Sequence, residues 1–166
     1  MCIRDRGIAN ARAIAAAGTR VKRMAFGAGD YTLDMNIEWT VGESELEHVR
    51  AEMVVASRAA GLEAPLDTVW IHIKDLDGIA TSARRARQLG FQGKMCIYPP
   101  QVEVVNRAFT PSEQEIAFAR RVVTAFEQAE REGSSSIQLD GYFIDYPIVY
   151  KAQRTLDLVR STEEAT

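Results

Sequence analysis

Cysteine and histidine are scarce in this 166-residue chain, with two of each, and proline occurs five times. Cys2 and Cys96 stand far apart with no CxxC or Cys/His framework, which excludes a disulfide scaffold and a structural zinc site. Positive charge is also short. Twenty Lys and Arg against 23 Asp and Glu give a net charge of -3, so the chain lacks the basic field of a nucleic-acid binder. No apolar run approaches the roughly 20 residues of a membrane span. The start, MCIRDRG, has no apolar middle of a signal peptide, and a cytoplasmic protein is expected. What is abundant is hydrophobic residue, 46% of the total, enough for one sizeable core.

Met1–Arg6 fit neither a strand nor a helix pattern and read like translated adapter sequence rather than native chain. From Gly7 to Ala17 an Ala-rich stretch anchored by Ile8 and Ile14 predicts a helix stopped at Gly18. Val21–Phe26 predicts a short strand. Ser44-Glu45-Leu46-Glu47 reads as a capping box opening a helix to Gly61. Asp67–Ile73, rich in β-branched and aromatic residues, predicts a strand, followed by an Arg-rich helix over 78–89 and a strand over Lys94–Ile97. Thr110-Pro111-Ser112-Glu113 reads as a second capping box with proline at the first helical position. Beyond it, Ile116, Ala119, Val122, Val123, Phe126 and Ala129 form one helical stripe, ending near Gly133. A last helix is predicted from about Tyr146 to Val159. Strands alternating with helices imply parallel β/α units: a small open sheet or part of a (β/α)8 barrel, which needs roughly 250 residues.

Ligands in parallel α/β folds meet the loops at the carboxyl ends of strands. In Met24-Ala25-Phe26-Gly27-Ala28-Gly29-Asp30 an apolar strand runs into two glycines and an acid. Glycines allow close backbone approach, and a carboxylate there suits a hard cation such as magnesium or, alternatively, a turn cap. Ile71-His72-Ile73-Lys74-Asp75-Leu76-Asp77-Gly78 has the Asp-x-Asp-Gly pattern of haloacid-dehalogenase-type phosphatases, with Asp75 as nucleophile and Asp77 as acid/base. Lys74 interrupts that pattern, Ile79 replaces the usual hydroxyl residue, and an Asp77 cap on helix 78–89 is the plainer alternative. Tyr98-Pro99-Pro100-Gln101 is a loop pre-ordered by proline that could present Tyr98 and Gln101 to a ligand. Cys96 is expected to be an inert buried thiol and His48 a solvated helix residue. In Gly141-Tyr142-Phe143-Ile144-Asp145-Tyr146-Pro147, Asp145 is a single acid among apolar neighbours, suited to general acid work, to an N-cap, or to both.

Together these pieces resemble the citrate lyase β-subunit-like CoA-ester lyases of the HpcH/HpaI aldolase superfamily. The matching stretches are GIANARAIAAAGTRV, MAFGAGDYTLD, SRAAGLEAPLDTVW, ARQLGFQGKMCIYPPQ, NRAFTPSEQEI and GYFIDYPIV, in family order across residues 7–150. The resemblance implies the C-terminal part of a (β/α)8 TIM barrel over 7–109 with a C-terminal helical extension over 110–166. It also implies trimers or hexamers and magnesium-dependent cleavage or formation of the carbon–carbon bond between acetyl-CoA and a 2-keto acid. Citryl-, malyl- and citramalyl-CoA are the substrates of that type.

Position by position, the resemblance makes Asp30 the magnesium ligand and Gly27, Ala28 and Gly29 backbone contacts to the keto-acid carboxylate. Asp145 becomes the acid that the C-terminal extension of a neighbouring subunit brings to the barrel mouth. Tyr98, Pro99 and Gln101 line the CoA side, although the family more often has His where Tyr98 stands. The chain departs from the family elsewhere. A second metal glutamate is expected four residues before Gly7, where this sequence has Ile3. The first four strands, with their substrate-gripping arginine, have no counterpart. The chain as it stands is therefore expected to be inactive. A non-catalytic assembly module built on the C-terminal helices is the second functional class that the sequence allows.

Overall fold

The computed structural model describes residues 2–3, 5–18 and 20–163. The chain divides into two compact units, Met1–Phe109 and Thr110–Thr166.

The first unit contains β1 (Cys2–Ile3), α1 (Asp5–Ala9), α2 (Ala11–Ala15), β2 (Ala25–Phe26) and α3 (Ala28–Asp34). A 3-10 turn over Ser44–Leu46 leads into α4 (Glu47–Ala59), and α5 (Leu76–Leu89) and α6 (Pro100–Phe109) complete it. β1 and β2 pair in parallel, with Cys2 opposite Ala25 and Ile3 opposite Phe26. Parallel bridges continue the row, Ala25 to Leu66 and Asp67 to Lys94. Four extended segments thus lie side by side in chain order, with helices between them, the arrangement of consecutive β/α units. Met24, Phe26, Leu46, Val49, Met53 and Phe91 form the main core. Val49, Met53 and Ala56 recur at helical spacing and put one face of α4 against it. Trp70, Ile79, Ala83 and Val105 make a smaller cluster between α5 and α6.

Several boundaries differ from the sequence expectation, each for a local reason. Cys2–Ile3 and Asp5–Arg6 do enter a strand and a helix, although MCIRDR carries no such pattern. The single helix expected over 7–17 breaks at Asn10, whose side chain donates to the Arg6 carbonyl at 2.8 Å and competes with the helical backbone. The Ser44 capping box does not form, and no side chain caps α4. Glu43, just before the turn, sits at φ 51°, and Glu45 reaches back to the Thr40 amide and hydroxyl, both at 2.8 Å. The strands expected over 21–26, 67–73 and 94–97 shrink to one or two paired residues; α3 begins directly after β2, whereas 68–75 and 95–99 run on as irregular chain before α5 and α6.

The second unit contains α7 (Glu113–Arg131), β3 (Ile137–Leu139), β4 (Tyr142–Ile144) and α8 (Tyr146–Glu163). The capping box at its start is real but lies two residues later than expected. Ser112 Oγ accepts from the Glu115 amide at 3.2 Å, and the Glu115 carboxylate accepts from the Ser112 amide at 2.8 Å. β3 and β4 form an antiparallel hairpin pairing Ile137 with Ile144. Its two-residue turn, Asp140-Gly141, has φ of 52° and 83°, the left-handed pair that an Asp-Gly turn supplies. Ala119, Val122, Phe126, Ile144, Val149 and Ala152 form its core. Among the described residues no helix is long and apolar enough to cross a membrane.

Candidate functional site

Where β2 ends, Gly27 precedes the first turn of α3, and the Tyr31 amide closes that turn on the Gly27 carbonyl at 3.0 Å. Asp30 is the third residue of the helix and exposed, so its carboxylate lies at the positive end of the α3 backbone. Ala28 is sealed, and its amide donates to Thr68 Oγ1 at 3.1 Å. Of the three residues expected to offer backbone groups to a carboxylate, Ala28 therefore has its amide already engaged. Gly27 and Gly29 flank it at the surface side of the turn. A side chain at Gly29 would meet only Trp39, at an ordinary 3.6 Å, so packing does not demand a glycine there.

Beneath this strand end lies a cluster of charges absent from the sequence reading. Asp67 Oδ1 accepts from Arg50 Nε at 2.9 Å, and Asp67 Oδ2 accepts from Arg50 Nη2 at 2.9 Å and Lys94 Nζ at 2.8 Å. Arg50 Nη2 also donates to Glu43 Oε2 at 3.0 Å, which accepts from Ser82 Oγ at 2.5 Å. All five residues are buried. Burial opposes the Arg50 charge, but Asp67 and Glu43 outweigh it and hold the guanidinium above its usual range. Two cations face two anions, which is how a protein interior tolerates such groups. The cluster ties α4, α5 and the Asp67 and Lys94 segments together. The available signal was ionic residues inside apolar runs: Arg50 beside Val49 and Met53, and Asp67 opening a β-rich stretch.

Tyr98 and Pro99 are exposed just before α6. The proline loop is shorter than expected because Pro100 already begins the helix. Gln101 is fully buried, its Oε1 accepting from the Ile97 amide and its Nε2 donating to the Trp70 carbonyl, both at 3.1 Å. It acts as a strut between the two segments, leaving Tyr98 and Pro99 as the exposed part of the loop. Asp75, not Asp77, caps α5: its Oδ1 accepts from the Gly78 amide at 2.9 Å. Cys96 is half-buried rather than buried, and that burial raises its thiol. His48 is exposed, as expected.

In the second unit Asp145 is half-buried at the start of α8, and its carbonyl accepts from the Ile148 and Val149 amides at 3.1 and 3.0 Å. Beside it Tyr146 donates its hydroxyl to Glu130 at 2.8 Å, which holds the phenol above its usual range. Among the described residues no group of three or more His, Cys, Asp or Glu could hold a metal ion. Asp30 therefore stands outside any such group, as an exposed carboxylate in the first turn of α3.

Residues 4–99 match the HpcH/HpaI aldolase/citrate lyase family. The chain is 39% identical over 155 residues to the citrate lyase subunit beta of Leuconostoc mesenteroides subsp. cremoris, covering 93% of this chain and 51% of that protein. It is 31% identical over 147 residues to the mitochondrial citramalyl-CoA lyase of Rattus norvegicus, covering 89% of this chain and 43% of that one. Among solved structures, the protein CitE from Mycobacterium tuberculosis, in complex with magnesium, acetoacetate and coenzyme A, superimposes with a TM-score of 0.77 at 31% identity. That match covers 92% of this chain and 57% of the other. The chain spans about half the length of the curated relatives it matches.

Proposed function

The chain belongs to the HpcH/HpaI aldolase/citrate lyase family, and from that membership we propose that it is part of a magnesium-dependent CoA-ester lyase. The observation that carries this reading is the β2–α3 junction. An exposed carboxylate, Asp30, follows a glycine-flanked strand end in the row of parallel segments. Four parallel segments in chain order support a place in the C-terminal part of a (β/α)8 barrel, with Thr110–Thr166 as the helical extension. Neither alternative gains support: Asp75 is engaged as a helix cap, and the relatives are named as lyases.

In this reading Asp30 would hold magnesium, which would supply Lewis-acid polarisation of the 2-keto acid. Gly27 and Gly29 let the keto-acid carboxylate approach the backbone, and Tyr98 and Pro99 line the CoA side. In the cleavage direction the hydroxyl of the CoA ester gives its proton to solvent water and becomes the keto-acid carbonyl. The carbon–carbon bond breaks, and its electron pair passes to the thioester enolate. Asp145, brought by the extension of a neighbouring subunit in a trimer or hexamer, delivers a proton to that carbon and acetyl-CoA leaves. The substrate is of the citryl-, malyl- or citramalyl-CoA type, and the location is cytoplasmic.

Ile3 stands level with Phe26 on the adjacent strand, at the position where the second metal carboxylate is expected. The backbone register therefore puts it one strand from the Asp30 turn, and the chain alone is inactive without that carboxylate. Calorimetric titration with Mg2+ tests the assignment. Ile3→Glu should tighten binding at least tenfold, and adding Asp30→Asn should remove the gain. Binding by Ile3→Glu that survives Asp30→Asn would take Asp30 out of the site.

A further inference from the structure

We propose that Thr68 is the positioning residue of the turn that carries Asp30, acting through a hydrogen bond that continues the parallel ladder with a side chain. The inference rests on the reading of Asp30 as the metal carboxylate, and its observations are independent of that reading.

Parallel pairing runs from the Phe26 amide to the Leu66 carbonyl at 3.0 Å and from the Leu66 amide to the Met24 carbonyl at 3.0 Å. Two residues further along both segments, the next rung of the ladder would join the Ala28 amide to the Thr68 carbonyl. Here α3 begins and the two backbones part. The Thr68 hydroxyl bridges the gap, with Oγ1 accepting from the Ala28 amide at 3.1 Å. Ala28 and Thr68 are 0% and 1% exposed, so water does not compete for this bond.

Other bonds of the turn are local. Tyr31 N–H meets Gly27, and Thr32 Oγ1 donates to the Ala28 carbonyl at 2.9 Å, with the Gly29 carbonyl at 3.1 Å. These shape the turn but would travel with it. The Thr68 bond instead ties it to a neighbouring segment 40 residues away in sequence. That segment is itself immobilised, because Asp67, the preceding residue, is gripped by Arg50 and Lys94. Asp30 lies two residues beyond Ala28, so the backbone that carries its carboxylate is tied to this chain of contacts. A valine at 68 keeps the shape and removes the acceptor, whereas a serine keeps the acceptor.

The test uses the full chain as wild type, Thr68→Val, Thr68→Ser and Asp30→Asn. Amide hydrogen exchange and Mn2+-induced broadening of the Gly29 and Asp30 signals are followed by NMR. Thr68→Val should speed exchange of the Ala28 amide tenfold or more, with the Val122 amide unchanged, and should raise severalfold the Mn2+ needed for broadening. Thr68→Ser should restore both. Unchanged Ala28 exchange in Thr68→Val overturns the proposal, and so does a Mn2+ response that Val and Ser shift equally. Should Thr68→Val not fold, Thr68→Ala is judged by the same exchange criterion. Broadening that persists in Asp30→Asn defeats the metal reading alone, and Ala28 exchange then decides on Thr68.

Discussion

The two compact units are held together by different physics. Thr110–Thr166 relies on an apolar stripe: Ala119, Val122 and Phe126 of α7 meet Ile144, Val149 and Ala152. Met1–Phe109 has an apolar core too, but its strand ends are organised around the buried Arg50, Asp67, Lys94 and Glu43 charges. Apolar burial is non-directional and forgiving, whereas a buried ion cluster works only when every partner is present. A turn that must be held in one place gains from the second kind of construction.

The comparison breaks most visibly at Asp67. Asp67→Ala leaves Arg50 and Lys94 buried without their shared anion and should cost the first unit about 3–5 kcal/mol. Both tryptophans, Trp39 and Trp70, lie in that unit, so urea unfolding followed by tryptophan fluorescence reads the loss directly. A loss below about 1 kcal/mol would mean that the cluster is not a stabilising joint. In the second unit Val122→Ala removes two buried methyl groups from a fully sealed position and should cost about 2 kcal/mol. Amide exchange of the α7 core is the measurement. A cost equal to that of Asp67→Ala would erase the distinction between the two constructions.

The same contrast explains what could be read from the sequence. In the second unit the helical stripe and the capping signal are both local, and each appears in the structure, the cap displaced by two residues. In the first unit the β/α alternation was legible from apolar runs, but strand lengths were not. Those runs contain residues whose roles are set by partners distant in sequence, Asp67 by Arg50 and Lys94, Gln101 by the Trp70 carbonyl. Of the site, Asp30 and its glycines stand at a strand end as their pattern implied. Thr68, which holds the Ala28 amide, carried no signal, since a threonine in a β-rich run is unremarkable.

The observed cap at Ser112 and the expected one at Ser44 allow a finer test. Ser112→Ala removes a bond that is present and should cost about 1 kcal/mol. Ser44→Ala removes none from α4 and should stay within about 0.5 kcal/mol. Chemical denaturation of both variants decides it, and equal losses would mean that the Ser44 box forms in solution.

The smallest effect belongs to the acid that displaced that box. Burial alone would raise the Glu45 carboxyl, but backbone amides and the Thr40 hydroxyl outweigh it and hold it below its usual range. A carboxylate lowered in the folded state binds its proton more readily when unfolded, so its contribution is complete above the unfolded value. It fades as pH falls through the lowered folded one. Glu45→Gln should therefore destabilise by about 0.5 kcal/mol at neutral pH and converge with wild type in acid, as read from urea midpoints across a pH series. A gap that widens on acidification would reverse the sign and remove Glu45 as the brace of the 40–45 loop, returning that part of the fold to the Ser44 cap that its sequence first suggests.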